Sequence, residues 1–341
     1  MRGNPILPPL THPQPLSPKG EGSEKGDALH SPAQFRSGLI YGIVAYCCWG
    51  LVPLYFREIK EVPAGEILAH RISWSFPMML LITAFVPGGF ATLIRVLASR
   101  KLVLTLLLSG ILLAGNWLLY IYASVSGRVA EASLGYYMLP LVNAFLATMF
   151  LGERMRPAHY PALGLIVVGV SIPLILQGVF PWLALALPIT FGCYGFVRKR
   201  IPVDSSTGLT IESLLMLGPC IAYLLYCEAR GSGSFGPNAE LNALLMFSGL
   251  VTVIPLLTFT LSIRKLPLLT QSLIQFISPT VQFPIAVLLL KETMGIANWA
   301  AISCVWLSVI IFIGDAVHRE HQKRRRTPMV AVPDLVAAEC R

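Results

Sequence analysis

Ten apolar segments, each near 20 residues in length, follow one another along the chain and are separated by short polar connections. A helix needs about 20 apolar residues to cross about 30 Å of hydrocarbon, and its backbone satisfies its own polar groups there. The segments therefore predict an all-α integral membrane protein with about ten transmembrane helices. They comprise residues 38–56, 66–86, 102–123, 132–151, 158–176, 181–197, 209–227, 243–263, 270–290 and 296–316.

The composition supports this class and argues against others. Only 13% of the residues are charged, whereas a soluble domain has about 25%. The net charge of +9 does not predict nucleic-acid binding, because no base-reading motif accompanies it. No Walker A sequence, HExxH pair or CxxC pair occurs. We therefore predict no ATP-driven mechanism, no metal or other cofactor, and no enzymatic activity.

The basic residues of the connections predict the orientation of the chain. With the N-terminus inside, the inner connections hold ten Lys and Arg residues and the outer connections hold five. The positive-inside rule therefore places both termini in the cytoplasm. The basic run 323–326 is interpreted as an anchor at anionic lipid, and the Pro-, Gly- and Ser-rich residues 1–36 as a disordered tail.

An internal repeat relates the two halves of the chain. Residues 110–170 return, weakly but in register, as residues 249–309 at an offset of 139, which pairs Glu153 with Glu292. Each half holds an odd number of predicted spans, so the two copies would enter the bilayer from opposite sides. This pattern is typical of inverted-repeat transporters, whose substrate site lies between the halves.

One polar helical face recurs in both copies. Tyr136, Pro140 and Asn143 follow the i, i+4, i+7 spacing that places side chains on one side of a helix. The alternative is that such amides only join neighbouring helices and that the prolines only set packing angles. As a matched set, the residues favour a cavity lined by amides and aromatic rings. The predicted cavity residues are Asn116, Tyr120, Tyr136, Pro140, Asn143, Gln275, Pro279 and Gln282, with the two prolines as bend points.

Three ionisable residues lie inside predicted spans, where charge is unfavourable and therefore informative. His70 and Arg71 lie near the start of the second span, at the expected outer mouth, and Glu212 matches His70 in the seventh span, at the expected inner mouth. They predict a pair of gates or a titratable group for proton coupling. The alternative is structural, in which Arg71 snorkels and pairs with Glu66, and Glu212 is capped.

Several stretches carry a resemblance to a known family. They are AYCCWGLVP at 45–53, EILAHRISWSF at 66–76, GNWLL at 115–119, EASLGYY at 131–137, PLVN at 140–143, FLGER at 150–154, YGFVRK at 194–199 and VTVIPL at 251–256. Over about residues 37–318 the chain resembles the RarD permeases, which belong to the EamA group of the drug/metabolite transporter superfamily. The resemblance implies ten transmembrane helices, two inverted repeats of five, a bacterial inner-membrane location and, from the family's link to chloramphenicol sensitivity, drug export.

These observations predict two five-helix EamA-like repeats, 37–176 and 177–317, between cytoplasmic tails 1–36 and 318–341. The predicted function is a secondary transporter that moves small molecules across the bilayer by alternating access. A cavity with few full charges suits neutral or zwitterionic amphipathic substrates, and coupling would be to protons or to the substrate gradient. The alternatives are a passive channel or facilitator and, further off, a membrane-embedded enzyme. The sequence predicts no oligomeric state.

Overall fold

The computed structural model describes residues 32–151, 157, 159–178, 180–236, 238–263, 265–266 and 274–326. Throughout these residues the regular structure is helical. The helices are α1 (Pro32–Glu58), α2 (Ala64–Phe85), α3 (Gly89–Leu97), α4 (Arg100–Val125), α5 (Val129–Leu151), α6 (His159–Gln177), α7 (Trp182–Lys199), α8 (Ser205–Ala229), α9 (Ala239–Ile263), α10 (Ile277–Pro284), which continues as a π-helix (Ile285–Leu289), and α11 (Ile296–Arg326).

The lengths and composition of these helices are those of a multi-pass membrane protein. Seven helices in the described part of the chain are long and apolar enough to cross a bilayer, namely α1, α2, α4, α5, α8, α9 and α11. The shorter apolar helices Tyr160–Leu176, Trp182–Arg198 and Ile277–Leu289 fall on the other predicted segments. Large apolar side chains such as Ile175 and Leu288 are exposed, as lipid-facing residues would be. The all-helical membrane class predicted from the sequence is therefore confirmed.

Three helical regions differ from the sequence-based boundaries. α1 begins at Pro32, so residues 32–36 are helical, and Pro is tolerated in a first turn because its missing N–H has no partner there. α11 continues through residues 318–326, which are mostly good helix formers. α3 is too short to span and occupies a predicted connection, where it buries Leu93. Residues 1–31 and 327–341, the rest of the predicted tails, lie outside the described residues.

The most extensive helix pairings join the two predicted halves. They are α6 with α11, α2 with α8, α5 with α7, α1 with α9, α2 with α9, α4 with α7, α1 with α10, α4 with α8 and α5 with α10. Exchanging the predicted spans of one half for those of the other (α1, α2, α4, α5, α6 for α7, α8, α9, α10, α11) returns the same set of pairings. The core of the molecule therefore lies between the halves.

Close helix contacts fix the direction in which α2 and α8 pack. A Cβ added at Gly65, at the start of α2, would lie 3.0 Å from the hydroxyl of Tyr223, near the end of α8. At the other end of the pair, the hydroxyls of Thr83 and Thr210 are 2.8 Å apart. α2 and α8 are therefore antiparallel. Gly249 lets α9 approach α2 as closely, because a Cβ there would lie 2.9 Å from the backbone of Trp74.

Candidate functional site

A cavity of about 80 Å³ lies between the two halves. One water molecule needs about 10–15 Å³, so the cavity has room for several. Pockets around drug-sized ligands measure about 300–1,000 Å³, and this conformation is therefore nearly closed. The lining consists of Tyr46, Trp49, Val52, Arg71, Asn116, Trp117, Tyr120, Tyr136, Leu139, Phe191, Leu256, Gln275, Ser278, Pro279 and Gln282.

Two buried amides are anchored across the halves. On α4, the Nδ2 of Asn116 donates to the carbonyl of Leu187 at 2.9 Å and to the hydroxyl of Thr190 at 3.0 Å, both on α7. On α10, the Nε2 of Gln282 donates to the carbonyl of Trp49 on α1 at 3.1 Å. The Oε1 of Gln282 has no hydrogen-bond partner in the described part of the chain. This oxygen is available to a donor group on a substrate.

Aromatic rings form much of the remaining wall. Tyr120 and Tyr136 pack edge to face with centroids 5.7 Å apart, and Tyr136 contacts Phe191 at 6.4 Å. The hydroxyl of Tyr136 donates to the Oδ1 of Asn116 at 3.2 Å. The hydroxyl of Tyr120 is buried without a hydrogen-bond partner among the described residues. The wall thus presents apolar surface together with an unused hydroxyl.

Arg71 introduces a full positive charge into this cavity. It is only 3% exposed, its Nε donates to the hydroxyl of Thr252 on α9, and its guanidinium lies 4.5 Å from the ring centroid of Trp117. The prediction that Arg71 snorkels is wrong, because α2 packs against both α8 and α9 and encloses the side chain. The prediction of an Arg71–Glu66 pair is also wrong, because the carboxylate of Glu66 has other partners.

Six of the eight predicted cavity residues lie together in this lining. Pro140 is buried but does not line the cavity, and Asn143 is exposed beside α7. The oxygen of Asn143 would lie 3.3 Å from a Cβ added at Gly192 on α7. The close approach of α7 therefore ends the cavity before the helical face of α5 reaches Asn143. Hydrophobic wall residues such as Trp49 and Phe191 carry no signal in the sequence that separates them from packing residues.

The Glu66 cluster consists of Glu66, His70, Ser234 and Phe235. Glu66 is 1% exposed, and its two oxygens accept hydrogen bonds from the amide of Ser234 at 2.6 Å and from its hydroxyl at 2.9 Å. The Nε2 of His70 lies 3.9 Å from Glu66 Oε1, and Phe235 stacks on the imidazole at 5.2 Å. The connection between α8 and α9 is thereby attached to the start of α2.

The Glu212 cluster consists of Glu212, Ser109 and Arg198. Glu212 is 2% exposed, and its Oε1 accepts a hydrogen bond from Ser109 at 2.6 Å and lies 3.7 Å from the Nε of Arg198. Its Oε2 has no hydrogen-bond partner in the described part of the chain. The cap of α8 is Asp204, which accepts from the amide of Thr207. The alternative prediction, in which Glu212 is a capped residue, is therefore wrong.

Glu292 is a third carboxylate with partners in the opposite half. Its Oε1 and Oε2 accept hydrogen bonds from the amides of Val129 at 2.6 Å and Ala130 at 2.8 Å, at the start of α5. Burial raises the pKa of Glu292, and these two hydrogen bonds oppose the rise. Glu292 thus satisfies free amides of α5, whereas its own following helix α11 begins only at Ile296. Its repeat partner Glu153 lies outside the described residues.

Comparison with known proteins gives consistent matches. The family model of the EamA-like transporter family matches residues 36–175. The chain is 40% identical to Protein RarD of Salmonella typhi over 291 residues, covering 85% of this chain and 99% of that protein. It is 37% identical to Protein RarD of Escherichia coli K12 over 290 residues, covering 85% and 98%. A protein of Pseudomonas aeruginosa named "Chloramphenicol-sensitive protein RarD" is 27% identical over 292 residues, covering 85% and 97%.

The fold also has a counterpart among solved structures. One crystal structure superposes with a TM-score of 0.54 at 17% sequence identity, covering 81% of this chain and 97% of that chain. At this identity the similarity concerns the fold alone.

Proposed function

Because the chain belongs to the EamA family and, within it, to the RarD-type permeases, we propose that it is a secondary transporter that carries small molecules through the central cavity by alternating access. The family consists of transporters, and the chain is a multi-pass membrane protein. The proposal adds the mechanism, the route and the groups that act along it.

The observation that carries the proposal is the cavity between two halves whose pairings exchange with one another. In an inverted-repeat transporter, one half rocks against the other around a fixed site near the midplane. The pairings of α1 with α9 and of α7 with α4 are counterparts under that exchange. The amides of Asn116 and Gln282 each reach across to the opposite half. Ten transmembrane helices in two inverted repeats account for all of these contacts.

The two carboxylate clusters are proposed as the gates. By the positive-inside rule, the connection that holds Ser234 is outside and the start of α8 is inside. The Glu66 cluster then closes the outer path, and the Glu212 cluster lies on the inner path. Glu212 is the proposed proton-coupling group, because it is buried, acidic and incompletely hydrogen-bonded.

The substrate class proposed at this level is small amphipathic molecules, which an aromatic and amide-lined cavity binds through apolar contact and a few polar groups. The printed name of the Pseudomonas relative refers to chloramphenicol sensitivity. Chloramphenicol is therefore a candidate substrate to test here, with export as the expected direction.

Flux into inside-out vesicles, measured for a panel of metabolites and for chloramphenicol with and without a pH gradient, tests the proposal. We expect saturable uptake that is stimulated by substrate on the opposite side and increased by the gradient. Flux that neither saturates nor shows such stimulation would indicate a passive channel. Vesicles that contain the protein without its substrate cavity, in the form of an Asn116→Leu variant, provide the control for passive leakage.

A further inference from the structure

We propose that the cavity binds a small organic monoanion with an apolar or aromatic body, and that Arg71 receives its carboxylate. This inference rests on the proposed transport function and names its substrate class. It differs from the expectation of a neutral or zwitterionic substrate, because that expectation assumed a cavity with few full charges. The position of Arg71 in the cavity wall changes the charge of the site.

The guanidinium of Arg71 has unused hydrogen-bonding capacity. An Arg side chain carries five N–H donors. In the described part of the chain, only the Nε of Arg71 has a hydrogen-bond partner, the hydroxyl of Thr252. No acidic side chain there lies within ion-pair distance of it. The two terminal nitrogens, with four N–H groups, are thus available to a bound molecule.

Arg71 is held in a fixed orientation before any ligand arrives. Its guanidinium packs over Trp117 and lies 5.9 Å from the ring centroid of Phe56. Thr252, which accepts from Nε, is itself bonded to the carbonyl of Ser248 at 2.9 Å. A planar guanidinium fixed in this way matches the two oxygens of a carboxylate and binds them in a bidentate manner.

The absence of a protein counter-charge makes the anion an energetic requirement. A charged side chain within a transmembrane segment is unfavourable by about 2.5–3.5 kcal/mol on insertion scales. Such residues usually pair with an opposite charge or serve a substrate. Cation–π contact with Trp117 compensates part of this, by about 2 kcal/mol at a desolvated site. A bound carboxylate would supply the missing negative charge at the guanidinium.

The rest of the lining indicates a monoanion. Arg71 is the one basic residue among the lining residues, and a phosphate monoester near −2 would keep an uncompensated charge beside it. The hydroxyl of Tyr120 is free to donate to the second carboxylate oxygen, and the Oε1 of Gln282 is free to accept from a hydroxyl or amino group elsewhere on the ligand. Phe191 and Leu256 provide apolar surface for the body of the molecule.

Matched pairs of ligands that differ only in charge test the inference in the purified wild-type protein. The pairs are 3-phenylpropanoate with 3-phenylpropanamide, and octanoate with octanamide, at a pH where both acids are ionised. Thermal unfolding in detergent and quenching of tryptophan fluorescence give their apparent affinities. We expect each carboxylate to bind at least about tenfold more tightly than its amide, which corresponds to about 1.4 kcal/mol for one charge-assisted bidentate contact.

Variants assign the effect to one residue. Arg71→Gln should remove the preference for the carboxylate, and Arg71→Lys should keep part of it, because an ammonium retains the charge without the planar fork. Arg57→Gln is the matched control, because Arg57 is exposed and paired with Glu58. The ligand-pair comparison in the wild type stands even if Arg71→Gln does not fold.

Three results would overturn the inference: equal binding of amide and carboxylate, no stabilisation of the wild type by any carboxylate, or an undiminished carboxylate preference in Arg71→Gln. Its failure can be told apart from failure of the transport proposal. Saturable flux of neutral molecules alone contradicts the anion inference and leaves transport intact. Carboxylate binding through Arg71 without flux in vesicles contradicts transport and leaves the binding site intact.

Discussion

Glu66 and Glu212 are both buried carboxylates, but they differ in the groups that bind them. They lie at opposite ends of the antiparallel pair α2 and α8, because Gly65 contacts Tyr223, and 11 residues of helix, or about 16 Å, separate Tyr223 from Glu212. Both oxygens of Glu66 accept hydrogen bonds from one loop residue, Ser234. Glu212 has one hydrogen bond from Ser109, a looser approach to Arg198 and one unpartnered oxygen.

The difference shows how similar carboxylates can serve different purposes in one fold. A carboxylate that holds a loop by its backbone amide acts as a fastening, and its release opens the loop. A carboxylate with an unpartnered oxygen and a cation at 3.7 Å has capacity to take up a proton without breaking a backbone contact. We therefore assign loop closure to the Glu66 cluster and proton coupling to the Glu212 cluster.

The largest expected effect is on Glu212→Gln. Gln keeps the shape of the side chain and an oxygen for the Ser109 hydroxyl, but it does not titrate. If Glu212 carries the coupling proton, accumulation under a pH gradient should fall by roughly tenfold or more, the size of a typical coupling free energy. Exchange of substrate down its own gradient should survive, because it needs no net proton movement. Flux in vesicles with and without the gradient measures both.

A double variant separates proton coupling from simple ion pairing. Glu212→Gln alone leaves the charge of Arg198 without its partner, which by itself destabilises a buried site. Combining it with Arg198→Gln removes both charges. If the pair is only structural, the double variant should recover accumulation; if Glu212 is the proton carrier, it should recover stability but not accumulation. Glu66→Gln serves as the matched change at the other cluster and should leave coupling intact.

The comparison extends to the two amides that the repeat relates, Gln282 and Asn143. Gln282→Leu removes a buried group that bonds Trp49 and lines the cavity, so substrate flux should fall by about five- to tenfold, equivalent to one lost buried hydrogen bond. Asn143→Leu, the same change outside the cavity, should alter flux by less than about twofold. Equal losses in both variants, with normal accumulation of the protein, would return Asn143 to the substrate path.

Sequence patterns predicted those features that depend on local chemistry. Apolar length predicted the helices, and the rule that polar groups in hydrocarbon must converge predicted the grouping of Asn116, Tyr136 and Gln282. Arg71 was interpreted as snorkelling because it lies near the start of its span. Its burial depends on the packing of α2 against α8 and α9, which involves residues about 140 positions or more away in the chain. Helical periodicity placed Asn143 on the correct face, but it carries no information on where α7 closes the cavity.

Release of the Glu66 cluster should be visible as increased labelling of the loop that it holds. In a background without the seven native cysteines, a cysteine at Ser232 should react with an impermeant reagent added from outside, and a cysteine at Pro202 should not. Glu66→Ala removes both acceptors of Ser234, so the labelling rate at position 232 should rise about fivefold or more. Unchanged labelling would show that Phe235 alone holds the loop. Reaction only at position 202 would reverse the proposed orientation.

The smallest expected effect concerns Glu292, which resembles Glu66 in binding backbone amides. Burial raises the pKa of this carboxyl. A carboxyl with a raised pKa contributes stability below the pKa of the unfolded chain, and that contribution is lost as the pH rises through the folded pKa. Gln resembles the protonated form, so the stability of the parent relative to Glu292→Gln should fall between about pH 4 and about pH 7. The change should be below about 1 kcal/mol, because solvent screens a half-buried group. Thermal unfolding in detergent at both pH values measures it. A change of the opposite sign would mean that the bonds to Val129 and Ala130 outweigh burial, and that carboxylates bonded to amides stay ionised in this fold, Glu66 included.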